Sequence, residues 1–451
     1  RKPVPYIEDA AVPLPCLASY IAEVLAVCRR HEQPVALFAH AGVGLLHVRP
    51  MHDLHQPEQL AKMRRIQREV FELVRRHGGS WSGEHGDGLI RGMFNREFFG
   101  DRLYEAFQQV KRIFDPAGLM NPGKIVETPA EWTTTRYSGD YRPERVETVF
   151  RFREHGDVLG EVEACNGVGA CRKLGSGTMC PSYMATRDER HSTRGRANAL
   201  RLAITNQIGE EGWFREEVHA ALDLCLGCKA CKKECPNAVD VSRLKAEVWN
   251  AAGYGSRVFG RIDEFAPLAS KFSGLVNAVG RTGLARFFLR KFAGLDPTRP
   301  LPAFARERFS TWAARQKPAG QGGEVFLFID TWTEFFEPEV GRAAFEVLTA
   351  AGYHVHTRWL GDSQRASISQ GMLFRARFHG SLLMRALAAE AAAGRPVLVL
   401  EPSCASSLKD DLPDLVPNVE EATRAAAAVR LADEFLAGEL RSGRARLTDV
   451  S

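Results

Sequence analysis

Seven of the ten cysteines of this 451-residue chain fall between positions 165 and 235, and they end in the run Cys225-x-x-Cys228-x-x-Cys231-x-x-x-Cys235-Pro236. Three thiolates on one tight turn, with a fourth set apart before a proline, suit the corners of a cubane iron–sulfur cluster. A zinc site would show two Cys-x-x-Cys pairs separated by a longer stretch. Structural disulfides are not spaced this way either, so the segment is read as an electron carrier.

Upstream, Cys165, Cys171 and Cys180-Pro181 form a second set, which implies two clusters. In two-cluster ferredoxins the fourth cysteine of each run crosses to the other cluster. Cys180, Cys225, Cys228 and Cys231 then hold one complete 4Fe-4S cluster. Cys165, Cys171 and Cys235 hold the other with one thiolate missing. A three-iron cluster, a non-thiolate fourth ligand and an open iron site all stay open as outcomes.

The chain is too long for one domain at ~100–200 residues per domain. Its apolar content of 45% is enough for real cores. A net charge of +5, from 60 basic and 55 acidic residues, argues against dedicated nucleic-acid binding and leaves room for an acidic substrate or partner. No stretch approaches the roughly 20 apolar residues of a membrane span, and no signal peptide is visible. Clustered thiolates fit a reducing compartment, which predicts a cytoplasmic protein with at most peripheral contact at the inner face of the membrane. The chain begins at Arg1 and is read as part of a longer polypeptide.

Periodicity predicts a helix over 19–31, a hairpin over 35–49 turning at Gly42 and Gly44, and a helix from Pro57 to His77 ended by Gly78-Gly79. A loop of alternating glycines follows, Gly83-Glu84-His85-Gly86-Asp87-Gly88, and then a helix that stops at Asp115-Pro116. From 260 to 310 the chain is basic and aromatic, with Phe287, Phe288, Arg290, Lys291 and Phe292, and is read first as a packed helix with a solvated basic side and second as a membrane-surface or partner-docking helix. After a loop at 317–323, strands alternate with helices, and Ala-rich helices are expected at 386–393 and 421–439. The expected architecture is multidomain, α+β and α/β. Residues 1–128 form a first domain, 129–158 a linker, 159–260 a helical two-cluster domain, 261–322 a helical connector and 323–451 an α/β domain.

His40 and His47 flank the glycine turn, and Glu84-His85 lies on the second glycine loop. Two histidines and a carboxylate are a common divalent-metal set, while histidines beside glycines are more often plain packing residues. Composition leaves both readings standing.

The run Phe38-Ala39-His40-Ala41-Gly42-Val43-Gly44-Leu45-Leu46-His47 resembles a motif of the C-terminal domain of FAD-linked oxidases. So do Ser82–Gly88 and the stretch from Phe114-Asp115-Pro116 to Asn121-Pro122-Gly123-Lys124. The resemblance covers residues 1–128. It is to the flavin dehydrogenases of D-lactate, glycolate and D-2-hydroxyglutarate, in the fused form that continues into a glycolate-oxidase-type iron–sulfur part. It implies FAD, with His40, His47 and Glu84 as ligands of zinc or manganese and His85 as the general base. Asn121 and Lys124 lie where the family closes over the flavin. Arg49 and Arg91 are candidates for a substrate carboxylate, with an ordinary salt bridge as the competing role for each. Val43 and Leu45 stand where many relatives have Asp and Asn. The family's flavin-binding domain is expected upstream of residue 1.

Glu401-Pro402-Ser403-Cys404 after a strand resembles a degenerate CCG-type domain, because 361–366, where the first motif is expected, holds no cysteine. Cys404 alone cannot bind a cluster, and Cys16 and Cys28 are read as ordinary helix residues. The resemblance as a whole implies oxidation of a D-2-hydroxy acid, with electrons leaving through the clusters to a quinone, cytochrome or other carrier. The alternative is an electron-transfer or assembly module with a degenerate catalytic half. A metal-dependent hydrolase is a poor third reading, since it leaves the clusters without a job.

Overall fold

The computed structural model describes residues 2–130, 136–137, 141–253, 257–293, 296, 298–316 and 322–445. Parts of the expected linker, connector and loop at 317–323 lie outside the described residues, as do the last six positions. The chain divides into two compact units, Arg1–Tyr141 and Arg142–Ser451.

In the first unit, strand β4 (Leu45–His52) is the common partner of β1 (Lys2–Pro3), β2 (Ala10–Ala11) and β3 (Val35–His40), all antiparallel. The β3–β4 hairpin pairs Phe38 with His47 and His40 with Leu45. Its turn needs glycine at position 44, where φ is +72° and a Cβ would stand 2.0 Å from the Val12 carbonyl oxygen. Helix Pro57–Arg76 places Met63, Ile66, Val70, Phe71 and Val74 at helical spacing on one buried face. That face meets Tyr20, Val24 and Val27 of helix Leu17–Arg30, and Phe71 packs against Trp81 and Phe94. Each such large side chain contributes about 1.5–3 kcal/mol when fully buried, so the hairpin sits on a firm floor.

The second unit contains the cysteine segment and an α/β part. Its parallel sheet runs β6 (His354–His356), β5 (Glu324–Phe328), β7 (Val397–Val399), β8 (Val429–Leu431). Residues alternate along β5: Phe326 and Phe328 face one core, and Val325 and Leu327 face another. The first of these cores also contains Phe150, Val162, Leu200, Val241 and Leu244 from the cysteine segment. The cysteine segment and one face of the sheet are therefore a single packed body. Phe150 and Phe152 already belong to it, Glu247 accepts the N–H groups of Val149 and Phe150, and Asp414 accepts that of Phe152.

Two expectations change. The Ala-rich helix expected over 421–439 is broken by β8, because Val429 is buried and pairs with Val397, and sheet pairing overrides the helical preference of the flanking alanines. Helices Ile262–Ala269, Ser273–Gly280 and Gly283–Ala293 are not packed with only a basic side in water. Leu268, Leu275, Val279, Leu284 and Phe287 are exposed as well. Among the described residues no helix is long and apolar enough to cross a membrane.

Candidate metal and cluster sites

The histidine site forms where the β3–β4 turn meets the loop Ser82–Gly88. Gly83 is fixed by contact, since a Cβ there would lie 2.4 Å from Leu45 Cδ1. Next to it, Glu84 Oε1 lies 3.6 Å from His40 Nε2 and Glu84 Oε2 lies 3.7 Å from His47 Nε2. Both separations are too long for hydrogen bonds. Yet one donor atom from each of the three residues falls within 4.8 Å of the others. Three ligand atoms that converge without bonding one another fit a small divalent ion. The His47 side chain is buried, its ring is stacked on Phe38, and its Nδ1 has no hydrogen-bond partner among the described residues. His85 lies beside this set, with its ring stacked on that of His47 at 5.4 Å and its Nε2 3.8 Å from Glu84 Oε2.

Two residues that the sequence reading passed over support this loop. Asp9 is fully buried and accepts from Ser82 Oγ at 2.6 Å and from the N–H groups of Glu84 and His85, each at 2.9 Å. Burial pushes its carboxyl up, but the Ser82 hydroxyl, the two backbone N–H groups and Arg91 outweigh that and hold it below the usual range. Asp9, Glu84 and His85 also lie close enough to hold an ion. The Asp9 oxygens, however, already accept these three donors, which leaves His40, His47 and Glu84 as the better ligand set. Glu8 stands 3.4 Å from His85 Nδ1 and accepts from Arg49 Nε at 2.9 Å. The signal in the sequence was an acidic pair inside the apolar stretch Tyr6–Val12.

Arg49 also lies over the Phe38 ring, at the rim of the site. Arg91 is buried and donates to the carbonyls of Gly86 and Glu8 at 2.9–3.2 Å. Its fork is thus occupied with backbone. Asn121, at φ +49°, accepts from Lys124 Nζ at 3.1 Å, and both side chains are exposed. Their segment joins the glycine loop through Ile125, whose N–H donates to the Gly88 carbonyl. Cys16 and Cys28 take no part, and burial pushes the Cys28 thiol up to about 11.

In the second unit, Cys180, Cys225, Cys228 and Cys231 line one small cavity. This is the set of four expected for the complete cluster. Cys171 packs in a small group with Cys180, against which Cys231 and Cys235 lie, and Cys165 belongs to the main core, which Cys235 also touches. Cys235 therefore packs against the small group that holds Cys171. Among the described residues, no three cysteine sulfurs fall within 4.8 Å of one another. Zinc–sulfur bonds of about 2.3 Å demand closer packing than that, whereas the thiolates of a cubane each serve a different iron. Burial pushes the Cys225 and Cys231 thiols up, so loading with iron must release protons. Two donors already point at sulfur: Arg196 Nη1 at 3.2 Å from Cys180 Sγ, and the Arg194 N–H at 3.4 Å from Cys171 Sγ.

The α/β part brings the loop 361–366 against Cys404. The Ser363 hydroxyl donates to the Cys404 sulfur at 3.0 Å, and Thr331 donates to Asp362 at 2.7 Å. Burial raises the Cys404 thiol far above its usual range and pushes the Asp362 carboxyl up to about 6. A third acidic group, Asp240, Asp410 and Asp411, is close enough to hold an ion, but the Lys229 ammonium contacts all three carboxylates.

Comparison with known proteins finds matches over both regions. Residues 1–125 match the family "FAD linked oxidases, C-terminal domain", and residues 161–239 match the "4Fe-4S dicluster domain". The chain is 29% identical to a D-2-hydroxyglutarate dehydrogenase of Pseudomonas putida over 469 residues, covering 89% of this chain and 44% of that protein. It is 26% identical to the D-2-hydroxyglutarate dehydrogenase of Escherichia coli, covering 98% of this chain and 48% of the relative. The glycolate oxidase subunit GlcD of Escherichia coli is 33% identical over 124 residues, 27% of this chain and 25% of that one. The chain spans a little under half the length of the D-2-hydroxyglutarate dehydrogenases it matches along most of its own length.

Proposed function

Because this chain joins an FAD-linked oxidase C-terminal domain to a 4Fe-4S dicluster domain, we propose that it is the substrate-facing and electron-exit part of a dehydrogenase of D-2-hydroxy acids. D-2-hydroxyglutarate is the first candidate substrate, with D-lactate and glycolate behind it. The observation that carries this reading is the convergence of the His40, His47 and Glu84 donor atoms beside His85. When bound, FAD accepts the hydride from C2, a zinc or manganese ion polarises the hydroxyl and carboxylate, and the two clusters pass electrons on singly.

His40, His47 and Glu84 hold the ion. His85 takes the C2 hydroxyl proton on Nε2, the ring nitrogen on the Glu84 side, while Glu8 faces Nδ1 and steadies the ring. Loss of that proton and of the C2 hydride leaves the 2-oxo acid. Arg49, held by Glu8 and Phe38, is placed to meet a substrate carboxylate. Arg91 anchors the loop instead, and Asn121 and Lys124 close the flavin side. Cys180, Cys225, Cys228 and Cys231 hold the complete cluster, and Cys165, Cys171 and Cys235 the other. A quinone, cytochrome or other carrier would be the electron acceptor. Peripheral contact with the inner face of a membrane belongs to the same reading, through the exposed Leu284 and Phe287 among Arg281 and Arg290.

The second reading, an electron-transfer module with a decayed catalytic half, is favoured by the α/β part. We read it as a CCG-like domain in which only Cys404, hydrogen-bonded to Ser363, is left. Retention of His40, His47, Glu84 and His85 together opposes it. Anaerobic mixing of the full-length enzyme with D-2-hydroxyglutarate, followed by stopped-flow absorbance, separates the two. Rapid flavin bleaching and then cluster reduction, slowed ~10²–10⁴-fold in His85→Ala, is expected. Flavin-loaded protein that no 2-hydroxy acid bleaches leaves the second reading.

A further inference from the structure

A buried charged network joins the lower cysteine run to the α/β part and has no role in the chemistry above. Lys229 lies inside the Cys228–Cys231 turn and lines the same cavity as the four cysteines of the complete set. It adopts φ +59°, uncommon for any residue but glycine, and its side chain is only 10% exposed. The ammonium lies 3.1 Å from Asp240 and contacts Asp410 and Asp411, which end the π-helical turn Ser407–Asp411 of the α/β part. Arg243 adds contacts to Asp410 at 2.6 Å, Asp411 at 3.2 Å and Asp414 at 3.5 Å. Arg365, also from the α/β part, reaches Asp411 at 3.4 Å and donates to the Gly227 carbonyl within the cysteine turn.

Carboxylates buried in such numbers persist only beside matched cations, and removing one partner leaves the others uncompensated. The linked groups are 182 positions apart at their widest, between Lys229 and Asp411. The two parts of the unit are thus tied at the rim of the cluster cavity by ion pairs as well as by their shared core.

We propose that this network is a clamp: through Asp410, Asp411 and Arg365 the α/β part holds the Cys225–Cys231 turn in its cluster-binding shape, and Lys229 is the positioning residue that sets the cluster's reduction potential. The α/β part then has a function although Cys404 binds nothing. The inference rests on the assignment of Cys180, Cys225, Cys228 and Cys231 to one cluster and not on the oxidation of any hydroxy acid.

The test uses the full-length, cluster-loaded protein as wild type, Lys229→Met, Lys229→Arg and Asp411→Asn. Bleaching by an iron chelator and potentiometric titration followed by electron paramagnetic resonance are the readouts. Lys229→Met and Asp411→Asn should each lose the complete cluster about tenfold faster, the scale of an outer-shell partner. Lys229→Arg should stay near wild type. The potentials should move in opposite directions, falling when the cation is removed and rising when the carboxylate is. The other cluster should be unaffected.

Unchanged chelator resistance and potential in both variants would overturn the clamp. So would shifts of the same sign in both, which indicate general loosening. If Lys229→Met does not fold, Asp410→Asn, at the less buried end of the network, must show the rise expected of Asp411→Asn. Absence of that rise would equally sink the proposal. His85→Ala should leave every one of these readouts as in wild type, so failure of the hydroxy-acid reading and failure of the clamp are distinguishable.

Discussion

The histidine site of the first unit and the surroundings of Cys404 in the second are both made of a few polar side chains at strand ends, and they differ in what those side chains touch. Glu84 stands 3.6 Å from His40 and 3.7 Å from His47 without a hydrogen bond to either, His47 being buried and the other two open to solvent. Around Cys404, Ser363 donates to the thiol, Thr331 to Asp362, and the Cys404 N–H to Glu401 at 2.6 Å. A set whose groups already bond one another has fewer lone pairs and protons left for a ligand. Burial adds to this by opposing the thiolate, the form of cysteine that binds metal. The donor atoms of the first set converge without bonding one another, whereas the groups around Cys404 are already joined by hydrogen bonds.

Glu84→Gln should break the first half of this comparison most severely. Manganese affinity of the full-length protein, followed by equilibrium dialysis, should fall by more than the ~10–100-fold typical of an outer-shell partner, with cluster iron unchanged. A buried carboxylate of the saturated kind should act on stability instead. Burial raises the Glu247 carboxyl from its usual 4.5 to about 7, outweighing the hydrogen bonds it accepts from Phe150 and Val149. Its contribution to stability is complete below pH 4.5 and is lost as pH rises through about 7. The loss is at most about 3 kcal/mol. Unfolding of Glu247→Gln should lack that slope between pH 4.5 and 8, and equal slopes in variant and wild type would contradict the assignment. Cys404→Ala should have the smallest effect: no change in iron content or either cluster spectrum, and a stability loss of about 1–3 kcal/mol as the Ser363 hydroxyl loses its acceptor. Lost iron in that variant would return Cys404 to the cluster chemistry.

The comparison also shows what the sequence could disclose. The hairpin histidines were legible because the glycine turn places them within eight residues of one another and a tight turn leaves few alternatives. The cysteine runs were legible because a cluster demands its ligands on one short turn. Glu8 and Asp9 were not, since their partners Ser82, Glu84 and His85 lie more than seventy positions away. Lys229 was hidden for the same reason, being one more basic residue until Asp411 is brought to it. β8 was missed because the alanines around Val429 favour helix locally, and only β7 makes a strand of it.

The most direct test of the account is electron paramagnetic resonance of manganese added to the full-length, metal-stripped protein, before and after D-2-hydroxyglutarate. About one bound ion per chain is expected, with a spectrum that changes when the hydroxy acid is added and loss of both features in His47→Ala. Manganese that does not bind, or that binds equally well without His47 and ignores the hydroxy acid, would contradict it.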